Sequence, residues 1–166
     1  MSDLLRAIEA EIPALRRYAR ALLRDSERAD DLVQDCLERA LSRLHLWRRP
    51  GNLRAWLFTI MHNVNANQRR ASGRRPIPVA LDAIPERGQA ATQVTDVAAR
   101  EVLEALERLS ADQRQVLLLV AVEGLRYQEA AQVLGVPLGT VMSRLGRGRE
   151  RLRELLDGEP ALRRVK

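Results

Sequence analysis

The chain has 166 residues, 46% of them hydrophobic but only 3% aromatic, and 28 basic against 22 acidic side chains leave a net charge of +6. This length holds one domain or two small ones, and the wealth of Leu, Ala and Arg favours helices over sheets. Cys36 is the sole cysteine, which excludes a disulfide framework, and no run approaches the ~18 apolar residues of a membrane span. The N-terminus lacks a signal-peptide pattern, so a soluble, cytoplasmic protein is expected, without membrane insertion. The basic residues are all Arg apart from Lys166, a balance that suits a polyanionic partner without proving one.

Ser2 is placed to cap a short first helix carrying Leu4, Leu5 and Ile8, and Pro13 to open a second one with Leu15, Ala19, Leu22 and Leu23 at helical spacing. Asp25 and Ser26 supply a break and a cap. The next helix is expected over Glu27 to Trp47, with Val33, Cys36, Leu37, Ala40, Leu44 and Trp47 on its apolar side. Cys36 is thereby a core residue, neither nucleophile nor ligand. Asp31, Asp35, Glu38 and Ser42 line the opposite side. Acids near a helix N-terminus are favourable in any case. The alternative reading is a docking stripe for a basic protein surface.

Arg48-Arg49-Pro50-Gly51 reads as a turn, with Asn52 capping a helix from Leu53. That helix carries Leu53, Trp56, Leu57, Ile60, Met61 and Val64 on one face, with Trp56 and Asn63 on its flank and Thr59 and Arg70 next around. Trp47 and Trp56 bracket the turn. Aromatics beside Asn and Arg can stack on and hydrogen-bond unpaired bases, or the two tryptophans can simply fill the core. His45 and His62 lack neighbours at ligand spacing, so no metal site is assigned. No acid–base pair stands out, so neither catalytic residues nor a cofactor are expected.

Residues 72–93, with three prolines and two glycines, read as a flexible linker between domains at 1–71 and 94–160. Helical pattern resumes near Val94 with Val97, Val102, Leu103, Leu106 and Leu109. Ser110 and Gln113 form a capping-box pattern opening a helix through Val122 that Gly124 closes. Tyr127–Leu134 is a short amphipathic piece stopped by Gly135, and Val136-Pro137 leads into the last helix. Two helices around a glycine-containing turn make a helix-turn-helix pattern.

At ~100° per residue, Val141, Leu145, Gly148, Leu152 and Leu155 share one side of that last helix. Gly139, Ser143, Gly146, Arg147 and Glu150 lie opposite, flanked by Thr140, Arg144 and Arg151. Arginine forks and hydroxyls suit phosphates and base edges. An arginine-rich solvated face would look the same, and on spacing alone both readings stay open.

Taken together, ADDLVQDCLERAL and NLRAWLFTIMHNVNANQRR resemble region 2 of the sigma-70 family of RNA polymerase sigma factors, in its minimal extracytoplasmic-function (ECF) group. LSADQRQVLLLVAVEGLRYQEAAQVLGVPLGTVMSRLGRGRERLREL resembles region 4 of the same family, in the family's order and across the expected linker. The resemblance implies an all-α fold of two small domains, the second with a helix-turn-helix. It implies core RNA polymerase, promoter DNA and an anti-sigma factor as partners. It places Asp31, Asp35 and Glu38 against the polymerase and Trp47 and Asn63 at the −10 element, where Trp56 and Arg70 are expected beside them from their places on the same helix. It places Ser143, Arg144 and Arg147 at the −35 element, and Thr140 and Arg151, which flank that face, are expected to reach the same DNA. A sigma-like decoy that sequesters an anti-sigma factor and an autonomous helix-turn-helix regulator are the alternatives. The chain departs from the family at Met142, Gly146 and Gly148. The family tolerates a methyl at position 148, so alanine there is expected to add up to ~1 kcal/mol of stability.

Overall fold

A computed structural model of the protein describes residues 1–47, 51–73 and 93–158, the side chains of 93–96 excepted. The described residues form seven α-helices with a 3-10 turn, a π-helical turn and short connections, and no strand occurs among them. The turn residues 48–50 and most of the expected linker, 74–92, lie outside them.

Helix α1 runs unbroken over Ser2–Leu23, with Met1 at its N-cap and Pro13 inside. Two helices divided at Pro13 were the expectation. Proline in a helix interior forfeits one hydrogen bond and costs ~3 kcal/mol. Here Ile8 on one side of it and Ala14, Leu15, Tyr18, Ala19 and Leu22 on the other are all buried along one stripe. That continuous burial offsets the proline, whose ring is on the exposed side. Arg24 ends the helix in the left-handed region at φ 60°, its N–H donating to Arg20 O.

Helix α2 spans Ser26–Ser42, capped by the Asp25 carboxylate, which accepts from Arg28 N at 3.0 Å. It stops before the expected end at Trp47, because Arg43 leaves helical geometry (φ −113°) and Leu44–Leu46 form a single 3-10 turn. Trp47 therefore belongs to the connection. Helix α3 spans Leu53–Ser72, with the expected Asn52 cap accepting from Ala55 N at 3.3 Å. Its buried face includes Phe58, whose ring meets Tyr18 of α1 edge-on at 5.0 Å. Cys36 is fully buried and its thiol donates to Leu57 O at 3.5 Å, while burial pushes its pKa up to about 12. It is a core residue, unreactive as expected.

Helix α4 covers Gln93–Glu107. Of its expected apolar positions Leu106, with Leu109 just beyond the helix, is buried, Val97, Val102 and Leu103 are exposed, and the side chain of Val94 lies outside those described. Helix α5, Ala111–Leu117, starts where Ser110 Oγ accepts from Gln113 N, then widens into a π-helical turn over Leu118–Val122. Gly124 follows at φ 71°, and then come α6, Tyr127–Leu134, and α7, Leu138–Asp157. Gly135 between them sits at φ 64°, a conformation that disfavours any side chain with a Cβ.

Helix α7 buries Val141, Leu145, Gly148 and Leu155 against α5 and α6. A Cβ at Gly148 would lie 3.1 Å from Leu117 Cδ1 and 3.4 Å from Gln113 Cβ. An alanine methyl there therefore presses on α5, and the expected gain in stability is kept only so far as the Leu117 side chain gives way by a few tenths of an ångström. Nothing lies within 4 Å of a Cβ at Gly146.

The two helical groups, α1–α3 and α4–α7, touch directly, mainly through α3 on α6 and α1 on α5 and the π turn. Their buried residues form one continuous apolar cluster.

Candidate nucleic-acid interface

Three surfaces gather the residues singled out in the sequence. On α2, Asp31 and Glu38 are exposed, and Glu38 accepts from Gln34 at 3.1 Å within the same helix. Asp35 is half-buried, because Gln68 of α3 donates to its Oδ2 at 2.7 Å. The stripe thus has two exposed carboxylates and one that also ties α2 to α3.

Trp47 and Trp56 meet with ring centroids 5.4 Å apart, tilted by 48°. Both are half-buried, so they neither vanish into the core nor stand free in solvent. Asn63 lies two turns beyond Trp56 on α3 and is exposed. Arg70 is exposed too, but its guanidinium turns back to Ala66 O and Asn67 Oδ1. The pair of rings and Asn63 share a side of the first group, and Arg70 lies almost two turns further along.

On α7 the outward face carries Gly139, Ser143, Gly146, Arg147 and Glu150, all exposed. Ser143 Oγ donates to Thr140 O at 3.1 Å, which fixes the hydroxyl near the helix start. Arg147 makes no ion pair among the described residues. Arg144 is half-buried and reaches Asp112 of α5 at 3.5 Å, and Arg151 pairs with Glu154 at 2.9 Å. Thr140 is half-buried. Of the five residues expected to read DNA, Ser143 and Arg147 are therefore the most available, and Arg144 also braces α7 on α5. No group of three or more His, Cys, Asp or Glu among the described residues is arranged to hold a metal ion.

One buried charge escaped the sequence reading. Glu123, after the π turn, has a side chain with 0% exposure, and Arg17 of α1 donates to both its oxygens, Nε at 3.0 Å and Nη2 at 2.8 Å. Arg54 of α3 pairs with Glu11 at 2.7 Å and donates to Glu123 O at 3.1 Å. The hydrogen bond to Glu123, then its charge, raises the pKa of Arg17. A lone acid ahead of a glycine turn carries no periodic signal, so only the tertiary structure shows it.

Residues 8–62 match the family described as the Sigma2 domain of PhyR, and residues 99–152 match Sigma-70 region 4. The ECF RNA polymerase sigma factor EcfG of Rhodopseudomonas palustris is 37% identical over 158 residues, covering 94% of this chain and 87% of that protein. The chain belongs to the ECF RNA polymerase sigma factors. SigC of Mycobacterium tuberculosis, also an ECF sigma factor, is 36% identical across 93% of this chain and 85% of its own. Among solved structures, the sigma factor RpoE of Bartonella quintana, in complex with the anti-sigma factor NepR, superposes with a TM-score of 0.77 at 34% identity. That match covers 96% of this chain and 99% of RpoE. No described helix of this ECF sigma factor is long and apolar enough to cross a membrane.

Proposed function

We propose that this ECF sigma factor binds core RNA polymerase through the acidic face of α2 and directs initiation at promoters carrying −10 and −35 elements. The observation that carries this reading is the segregation of charge. Exposed acids Asp31 and Glu38 stand on α2, while the free arginine Arg147 and the hydroxyl of Ser143 stand on the outward face of α7. An acidic face repels DNA and suits a basic protein surface, whereas α7 has the chemistry to enter a major groove. Asp35 adds its charge to the first surface. Thr140, Arg144 and Arg151 flank Ser143 and Arg147 at the −35 element.

At the −10 element, Trp47 and Trp56 offer a stacking surface and Asn63 a hydrogen-bonding edge for an unpaired base, with Arg70 toward the backbone. The domains are 1–71 and 94–160, joined by 72–93. The protein works in the cytoplasm, makes or breaks no covalent bond itself, and is held in check by an anti-sigma factor. A sigma-like decoy is the second reading, because the first half matches a domain described as that of PhyR.

Two variants separate the surfaces. Asp31→Arg with Glu38→Arg spares the tie from Asp35 to Gln68 and should weaken binding to core polymerase by at least tenfold, leaving the affinity of the chain for −35 DNA intact or raised. Arg147→Ala should leave core binding unchanged and cost ~1–3 kcal/mol on −35 DNA if it reads a base bidentately. Binding measured by fluorescence anisotropy to labelled core and labelled duplex decides. Undiminished core binding by the charge-reversed protein would refute the α2 assignment.

A further inference from the structure

We propose that Met142 reads a thymine in the −35 element through the C5-methyl group of the base, with Leu138 widening the apolar contact. This role of Met142 rests on the reading of α7 as the helix that enters the major groove. Leu138 and Met142 stand four residues apart at the start of α7, so their side chains are neighbours on the helix surface. Leu138 is 39% exposed and Met142 54%. Neither is among the apolar side chains packed against the core cluster, to which α7 contributes Val141, Leu145, Leu152 and Leu155.

Single exposed apolar side chains are common on any protein surface. The position of this pair is what distinguishes it. A recognition helix presents its N-terminal residues to base edges, and Leu138 and Met142 lie in that stretch, on the flank of the face that carries Ser143 and Arg147. Gly139 and Gly146 lie beside Met142 toward that face, and a Cβ at either would have nothing within 4 Å. Gly146 weakens the helix and packs against nothing, a defect that close approach of the backbone to a ligand explains. The two glycines leave Met142 as the side chain that stands out from this part of the helix.

The chemistry of the groove selects the base. Guanine presents two acceptors there, cytosine an amino donor, adenine one of each, and thymine an acceptor beside the C5-methyl. Met142 has no hydrogen-bond donor and only a weak thioether acceptor. Seated on guanine or cytosine, it would strip water from polar groups and pair with none of them. Against the thymine methyl it buries apolar surface on both partners. Its unbranched chain adjusts to where the methyl lies. Because it carries no charge, the contact adds nothing to the salt dependence of binding.

Deoxyuridine in place of thymine removes that methyl and preserves the base pair, which makes the contact testable. The full chain bound to core RNA polymerase is first used to select a preferred duplex from a random pool. Each thymine of the upstream element, on either strand, is then replaced singly, and affinity is read by fluorescence anisotropy. At one position the wild type should lose about fourfold, the worth of one methyl-sized apolar group. Met142→Ala, at an exposed site, should keep wild-type helicity by circular dichroism and bind thymine and deoxyuridine there equally. Met142→Lys should lose the same distinction, while its new phosphate contact steepens the salt dependence by about one ion. Wild-type binding indifferent to deoxyuridine at every position would overturn the assignment. So would a Met142→Ala protein that still loses about fourfold, since another group would then read the methyl. A polymerase complex that selects no upstream element would remove the −35 reading itself, and the role of Met142 with it.

Discussion

Gly146 and Gly148 are two residues apart on α7 yet answer to different constraints. Glycine in a helix interior costs ~1 kcal/mol relative to alanine. Gly146 faces open solvent, so Gly146→Ala should recover most of that amount and raise the melting temperature by a few degrees. Gly148→Ala gains the same helix propensity but drives its methyl against the buried Leu117, where overpacking costs ~1–3 kcal/mol. Its net effect should lie between no change and ~2 kcal/mol of destabilisation. Thermal unfolding of the two variants side by side checks this, and a Gly148→Ala protein as stabilised as Gly146→Ala would contradict the close approach of α5. Asn63 offers a different contrast. It is exposed and flanks the apolar stripe, so Asn63→Ala should keep the melting temperature and reduce promoter opening, read by permanganate footprinting. An unfolded variant would instead make Asn63 a structural residue.

The joint of α3 and α6 shows how one element's cap can serve another. Asn52 caps α3 with its oxygen and donates from its nitrogen to Glu129, which accepts in turn from Arg126 N at the start of α6. The bond from Asn52 lowers the pKa of Glu129 below its ordinary 4.5, helped by the Arg126 N–H and charge and opposed by burial. A lowered carboxylate value means stabilisation that is complete above pH ~4.5 and lost as pH falls through the folded value. Asn52→Ser keeps the cap and removes the donor. Its melting temperature should fall below wild type at pH 7, and the gap should narrow by pH 3.5. A gap equal at both values would dissociate Glu129 from the effect.

At this same scale most elements were legible in the chain. The 3.6-residue stripes of α2, α3 and α7, the caps Asp25, Asn52 and Ser110, and the Gly135 stop are all local signals, and they survive folding intact. Pro13 misled because its cost is local while the burial that outweighs it is tertiary. The end of α2 misled because Leu44 and Trp47 continue the stripe after the backbone has left it. The exposure of Val97 and Val102 is likewise decided by what α4 packs on, which no periodicity states. Among the site residues, the outward positions of Ser143 and Arg147 follow from helical geometry alone. The engagement of Arg144 with Asp112 and of Asp35 with Gln68 required the fold.

Across the whole molecule the net charge of +6 conceals an ordered distribution. Acids face outward on α2, arginines face outward on α7, and opposite charges meet where the two groups join. Such faces attract a partner of opposite sign and repel one of like sign, which is what the proposed reading requires of them. The central claim is that these faces serve promoter-specific initiation, and one measurement tests it most directly. Purified chain is mixed with core RNA polymerase, and run-off transcripts are sequenced from a library of templates with varied −10 and −35 positions. The account predicts transcripts that depend on the added chain, start at a fixed distance from one preferred pair of elements, and vanish when either element is scrambled. A chain that binds core polymerase yet yields no added transcript from any template in the library would contradict it and favour the decoy.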